Sequence, residues 1–141
     1  MSTTDVTSLV RAWADAWSAG PAGIEQFVSL FTDECRYEDV PTRTVCHGKE
    51  QLTAFLQATF AAAPDHKLEL VHIAAGEESA GAEYVVTGTH TEDFPGLPAT
   101  GKPFRFRGAS ILKVQGDKLQ QVTDYWDFLS SGIVAPGMSE A

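Results

Sequence analysis

Val-Thr-Asp-Tyr-Trp-Asp-Phe-Leu, residues 122–129, follows the turn signal Gln115-Gly116-Asp117 and reads as the last strand of a sheet. Residues two apart on a strand share a face. Thr123, Tyr125 and Asp127 therefore point one way, and Asp124, Trp126 and Phe128 the other. Each face carries one aspartate, so one is solvated and the other lies among aromatic rings. A carboxylate in apolar surroundings is costly unless it is paired, hydrogen-bonded or protonated. We assign the inward one to a small-molecule pocket and identify it as Asp127, with Tyr125 beside it.

Outward from this strand, the rest of the chain reads as one domain over residues 1–141. That length is enough for a core and a cavity. Hydrophobic residues make up 43%, which excludes a disordered chain. The net charge of −9 repels nucleic acid and anionic membrane surfaces, so neither is expected as a partner. Residues 1–8 have no basic flank or apolar run, and no segment has the length of a membrane span. We therefore expect no signal peptide and a cytoplasmic location. Cys35 and Cys46 have no metal-ligand spacing and read as small core residues. The histidines at 47, 66, 72 and 90 are scattered, so no metal site is expected, and no cofactor is called for.

Val6, Val10, Trp13 and Trp17 recur at helical spacing, with Thr4 as a cap and Gly20-Pro21 as a stop. Trp13 and Trp17 lie one turn apart, and at least one of them is expected to line the cavity. A short helix with Ile24, Phe27, Val28 and Phe31 on one side follows. Residues 35–40 then alternate as a strand, with Cys35, Tyr37 and Asp39 on one face, and Pro41 stops it. Asp39 reads equally as a cap for the Pro41 turn and as a pocket residue. Leu52, Phe55, Leu56 and Phe60 mark a third helix over 49–63.

Beyond residue 66 the period becomes two. Strands are expected over 67–75, 82–91 and 104–114, and the loop 92–101 is rich in Pro and Gly. Taken alone, His90 on the second of these reads as a hydrogen-bonded structural histidine. Gly108 can host a bulge that exchanges the faces, which leaves Arg107 open between pocket and surface. The tail from about 132 is expected to fray. Three helices and a run of strands give an α+β fold. We expect a strongly curved antiparallel or mixed sheet with the helices across its concave side, around an apolar hollow.

Several motifs resemble the SnoaL-like polyketide (ester) cyclases. They are Gly88-Thr89-His90-Thr91, the run from Phe94 through Gly101-Lys102, Asp117-Lys118-Leu119 and Asp124-Tyr125-Trp126-Asp127. That family shares the nuclear transport factor 2-like cone with ketosteroid isomerase and limonene-1,2-epoxide hydrolase. The resemblance implies Asp127 as the general acid/base and His90 as its polar partner. It also sets Asp39 at the isomerase's proton-shuttling aspartate, Trp13 at its oxyanion-binding tyrosine and Ala109 at its protonated acid. The hydrolase's Arg and Asp partners fall at Gly88 and His90, which breaks that network.

The resemblance thus implies a cofactor-free cyclase or isomerase acting on a hydrophobic, polyketide-like or polycyclic metabolite. Asp127 would remove a proton next to a carbonyl, and His90 would donate a hydrogen bond to the enolate. Trp13, Trp17, Tyr37, Phe60, Arg107 and Tyr125 would bind substrate. The rivals are an epoxide hydrolase or dehydratase using the same aspartate, and a non-catalytic binding domain. Apolar residues on both sheet faces lead us to expect a homodimer on the outer face, built on Val71, Ile73, Trp126 and Phe128.

Overall fold

The computed structural model describes residues 1–94 and 97–133. Helix α1 (Thr3–Ser18) is capped by Ser2 and not by Thr4. Ser2 Oγ accepts from the Asp5 amide while the Asp5 carboxylate accepts from the Ser2 amide, a capping box that ties down two otherwise free N–H groups. Val6, Leu9, Val10, Trp13 and Trp17 are buried along α1. Each such side chain contributes roughly 2 kcal/mol over an exposed one. Gly20, at φ +64°, turns the chain into a short 3-10 turn and α2 (Ile24–Ser29).

Phe31 belongs to the first strand and not to the short helix: β1 runs Phe31–Asp39. It pairs through a tight turn with β2 (Thr44–His47), a strand too short to show alternation in the sequence. Helix α3 (Gly48–Ala62) leads to β3 (Lys67–Ala75), β4 (Ser79–Thr89), β5 (Pro103–Gln115) and β6 (Lys118–Trp126). The sheet is mixed and open, in the order β2-β1-β6-β5-β4-β3. Its single parallel pair, β1 with β6, brings the end of the sheet back to its beginning, so β6 is a central strand. α1 packs on β3 and β4 and α3 on β1 and β2, so the helices cover one face of the curved sheet as expected.

The structure decides three details of strand parity, two of them against the sequence reading and one that it left open. A register shift between Leu70 and His72 turns Ile73 inward, opposite buried Ala82, and leaves Val71 exposed. Gly108 hosts no bulge, because β4 and β5 pair without interruption from Ser79 to Thr89. Phe104 and Phe106 therefore face the core, and Arg105 and Arg107 face outward. The irregularity of β5–β6 sits instead near the turn, where Lys113 pairs with Gln121 but Val114 with Leu119. Beyond it, Val122, Asp124 and Trp126 point inward and Tyr125 outward. Asp124, and not Asp127, is the inward aspartate. The chain also stays packed past Ser131: Ile133 is buried, and residues 134–141 of the expected tail lie outside the described residues.

Candidate active site

The register of the sheet builds the site. Ser110 on β5, Asp124 on β6, Asp39 on β1 and Thr44 on β2 are successive cross-strand partners, forming one row across four strands. Tyr84 on β4, Gly108 on β5 and Trp126 on β6 form the neighbouring row. Both rows face a cavity of about 370 Å³ between the sheet, the end of α1 and the face of α3. That is the size of a small-ligand pocket, and its walls are mostly apolar, including Phe55, Leu68, Val86, Phe104 and Phe106.

Two carboxylates lie in this wall, both buried. Asp124 Oδ2 accepts from the Tyr37 hydroxyl at 2.6 Å, and Oδ1 accepts from the Ser110 hydroxyl at 2.6 Å. Ser110 Oγ lies 2.8 Å from the Tyr84 hydroxyl. Asp39 Oδ1 accepts from Trp126 Nε1 at 2.7 Å, and Oδ2 from the Thr42 hydroxyl. Burial pushes Asp124 up to about 7, helped by the neighbouring charge of Asp39, while Ser110 and Tyr37 pull the other way. Burial also raises Asp39, against the hydrogen bonds from Thr42 and Trp126. A carboxyl group poised near 7 among aromatic rings is suited to take a proton and give it back at neutral pH.

Among the other polar side chains that line the cavity is His66. His66 stacks on Trp17, with ring centroids 5.1 Å apart, and meets the edge of Phe60 at 5.7 Å. Burial lowers it to about 4, so its imidazole is neutral at pH 7. Its Nδ1 is buried and has no hydrogen-bond partner among the described residues. The ring lines the cavity, while the unpaired nitrogen itself is shielded from it, so His66 contributes a neutral flat wall stacked on Trp17.

The residues expected from the sequence fall into three groups. Asp39 and Trp17 line the cavity. Tyr37 and Phe60 lie one layer behind, Tyr37 holding Asp124 and Phe60 packing on His66. The others lie elsewhere. Trp13 is a fully buried core residue, edge-on to Tyr84. His90 is buried behind Phe94, its Nδ1 3.4 Å from the Thr100 hydroxyl. Tyr125 and Arg107 are exposed, and Arg107 meets Glu83 at 3.5 Å on the outer face. Asp127 is exposed just past the end of β6, where its carboxylate accepts from the Ser130 amide. The expectation that Asp127 sits in the pocket is thereby corrected. Ala109 likewise faces outward, and its neighbour Ser110 holds the inward position.

The sequence reading reaches Asp124 but assigns it the wrong face, and it does not single out His66, Tyr84, Ser110 or Trp126 for the site. Val122 carries the missing signal. It is the apolar residue two before Asp124, and fully buried, so its parity marks the inward face.

The model of the SnoaL-like polyketide cyclase family matches residues 7–132, and the chain belongs to that family. Among solved structures it is similar to a candidate polyketide cyclase from Xanthomonas campestris pv. campestris, with 22% identity and a TM-score of 0.77 over 89% of this chain and 92% of that one. It is also similar to a protein of ketosteroid isomerase-like fold from Catenulispora acidiphila, with 24% identity and a TM-score of 0.76 over 93% and 97%. A third neighbour is a nuclear transport factor 2-like protein of unknown function from an Exiguobacterium species, with 20% identity and a TM-score of 0.68 over 85% and 98%. At these identities the neighbours establish the fold. No curated protein matches the chain.

Proposed function

We propose that this SnoaL-like protein is a small-molecule cyclase or isomerase in which Asp124 moves a proton at a carbon next to a carbonyl. One observation carries the reading: a buried carboxyl group near pH 7, with each oxygen held by a hydroxyl, lies in the wall of an apolar cavity. Ionised Asp124 takes the proton as the C–H bond breaks, and the electron pair moves to the carbonyl oxygen. The enolate carbon then attacks a second carbonyl of the same molecule, and Asp124 returns its proton to the new alkoxide. Burial raises Asp39 against the hydrogen bonds from Thr42 and Trp126, and its neighbouring charge helps raise Asp124 into the range where it both accepts and releases a proton. Flat apolar substrates such as polyketide-like or polycyclic ketones fit between Trp17, Phe106 and Trp126, with the neutral His66 ring completing the wall.

Asp124 replaces Asp127 in this role, and neither His90 nor Arg107 takes part. The expected dimer is retained as part of the proposal. Its surface is the outer sheet face around exposed Ile111 and Tyr125, without Trp126, which faces the cavity. Light scattering at micromolar concentration tests it, and a monomeric mass counts against it.

The chemistry is tested with two probes. Incubated with 2-tetralone in deuterium oxide, the protein should speed exchange of the α-protons above the protein-free rate. Incubated with limonene oxide in heavy-oxygen water, it should yield no labelled diol. Labelled diol without exchange would make the aspartate a base toward water instead.

A further inference from the structure

Asp124 is joined to the cavity by a second route besides its own carboxylate. Ser110 has one proton, and the 2.6 Å contact commits it to ionised Asp124. The Tyr84 hydroxyl, 2.8 Å from Ser110 Oγ, must then donate to Ser110. In that state the Tyr84 hydroxyl has only lone pairs left to offer a second partner. Once Asp124 carries a proton, the chain can turn over without breaking a covalent bond. Asp124 donates to Ser110, Ser110 to Tyr84, and the Tyr84 proton is released toward the cavity that Tyr84 lines.

The strand register fits this route. Tyr84 lies opposite Gly108, and a Cβ there would stand 2.7 Å from Tyr84 Cε1 and 3.0 Å from the Trp126 Cβ. The missing side chain lets the ring lie across β5 toward Ser110, whose partner on the next strand is Asp124. Trp13 meets the ring at 62° and fixes its plane.

We propose that Tyr84 is the hydrogen-bond donor to the substrate's carbonyl oxygen, switched on through Ser110 when Asp124 takes the substrate proton. The inference rests on Asp124 being the base. Negative charge passes from Asp124 to the enolate oxygen, and at that moment Tyr84 turns from acceptor to donor, so stabilisation is greatest after proton transfer. Tyr84 touches the substrate and is catalytic, whereas Ser110 is a positioning residue. The substrate class follows: a ketone or ester whose carbonyl oxygen reaches Tyr84 while its α-carbon reaches Asp124.

The switch is testable without a substrate. The three tyrosines give three ¹³Cζ signals, assigned with Tyr→Phe variants. In the wild type, Tyr37 and Tyr84 should both shift with the Asp124 midpoint. In Ser110→Ala only Tyr37, which bonds Asp124 directly, should follow it, and Ser110→Thr should restore Tyr84. A Tyr84 signal that ignores Asp124 in the wild type, or that follows it unchanged in Ser110→Ala, overturns the relay.

The donor role is read from the infrared carbonyl stretch of bound 2-tetralone. The stretch should fall in frequency as Asp124 protonates, and Tyr84→Phe should abolish that fall and slow α-exchange about 10²-fold. A pH-independent stretch, or one unchanged by Tyr84→Phe, overturns the assignment of Tyr84. Failure of 2-tetralone to bind would overturn the pocket reading beneath both claims. Binding with a Tyr84-dependent stretch but no exchange would instead remove the base and keep the donor.

Discussion

Asp39 and Asp124 are register partners on the parallel strands β1 and β6, and among the described residues their carboxylates have separate hydrogen-bond donors. Neighbouring strands lie about 4.8 Å apart, so two charges in this row repel at short range. The separate donor sets decide which group gives way. Trp126 and Thr42 hold Asp39, while Asp124 is the more deeply raised of the two.

This arrangement has a cost in stability that depends on pH. Asp124 has a folded value of about 7 against roughly 3.9 unfolded, so between these values the folded state holds a proton that the unfolded state has lost. Its contribution to stability is full below about pH 4 and is lost as pH rises through 7. Asp124→Asn removes the titration. The variant should therefore gain on the wild type from pH 5 to pH 8, by an amount on the order of a few kcal/mol. Thermal melts of both proteins across that range check this, and parallel curves count against it.

His66 works in the opposite sense. Its folded value of about 4 lies below an unfolded one of roughly 6.5, so its contribution is present above 6.5 and lost as pH falls toward 4. His66→Gln should flatten the acid limb of the stability curve. Thermal melts of both proteins between pH 4 and pH 8 measure the difference, and parallel curves count against it.

The tryptophans divide by position. Trp17 and Trp126 line the cavity, and Trp13 is sealed in the core. A flat polycyclic phenol should quench the emission of Trp13→Phe as fully as that of the wild type. Quenching should diminish in Trp17→Phe and in Trp126→Phe. If Trp126 carried all of it, α1 would not border the ligand.

The fold was legible because its signals are local. The α1 stripe, the α3 stripe and the alternation in β4 and β5 each lie within one element. Strand parity is less so. In β6 Leu119 and Val122 are both buried although three residues apart, an irregularity that the pairing with β5 explains, and the parity of Asp124 follows Val122 and not Leu119. In β3 the shift after Leu70 misplaced Ile73 in the same way. Asp39 and Tyr37 are legible because β1 alternates cleanly from Cys35 to Asp39. His66 escapes a sequence reading because nothing in its neighbours in the chain signals that Trp17, 49 residues away, stacks upon it.

Gly108 tests the packing that supports the site. Gly108→Ala would drive a methyl group into the Tyr84 ring and the Trp126 Cβ. It should cost about 1–3 kcal/mol of stability. Activity should fall further than that loss explains, because Tyr84 is pushed off Ser110. Urea unfolding set beside the α-exchange rate separates the two effects, and an active, destabilised variant would argue against a role for the Tyr84 position.

The most direct measurement compares the two aspartates of the last strand. With 2-tetralone in deuterium oxide, α-proton exchange should fall to the protein-free rate in Asp124→Asn and stay at the wild-type rate in Asp127→Asn. Wild-type exchange should rise with pH around a midpoint near 7, as Asp124 ionises. Exchange that survives in Asp124→Asn and disappears in Asp127→Asn would contradict the account at its centre.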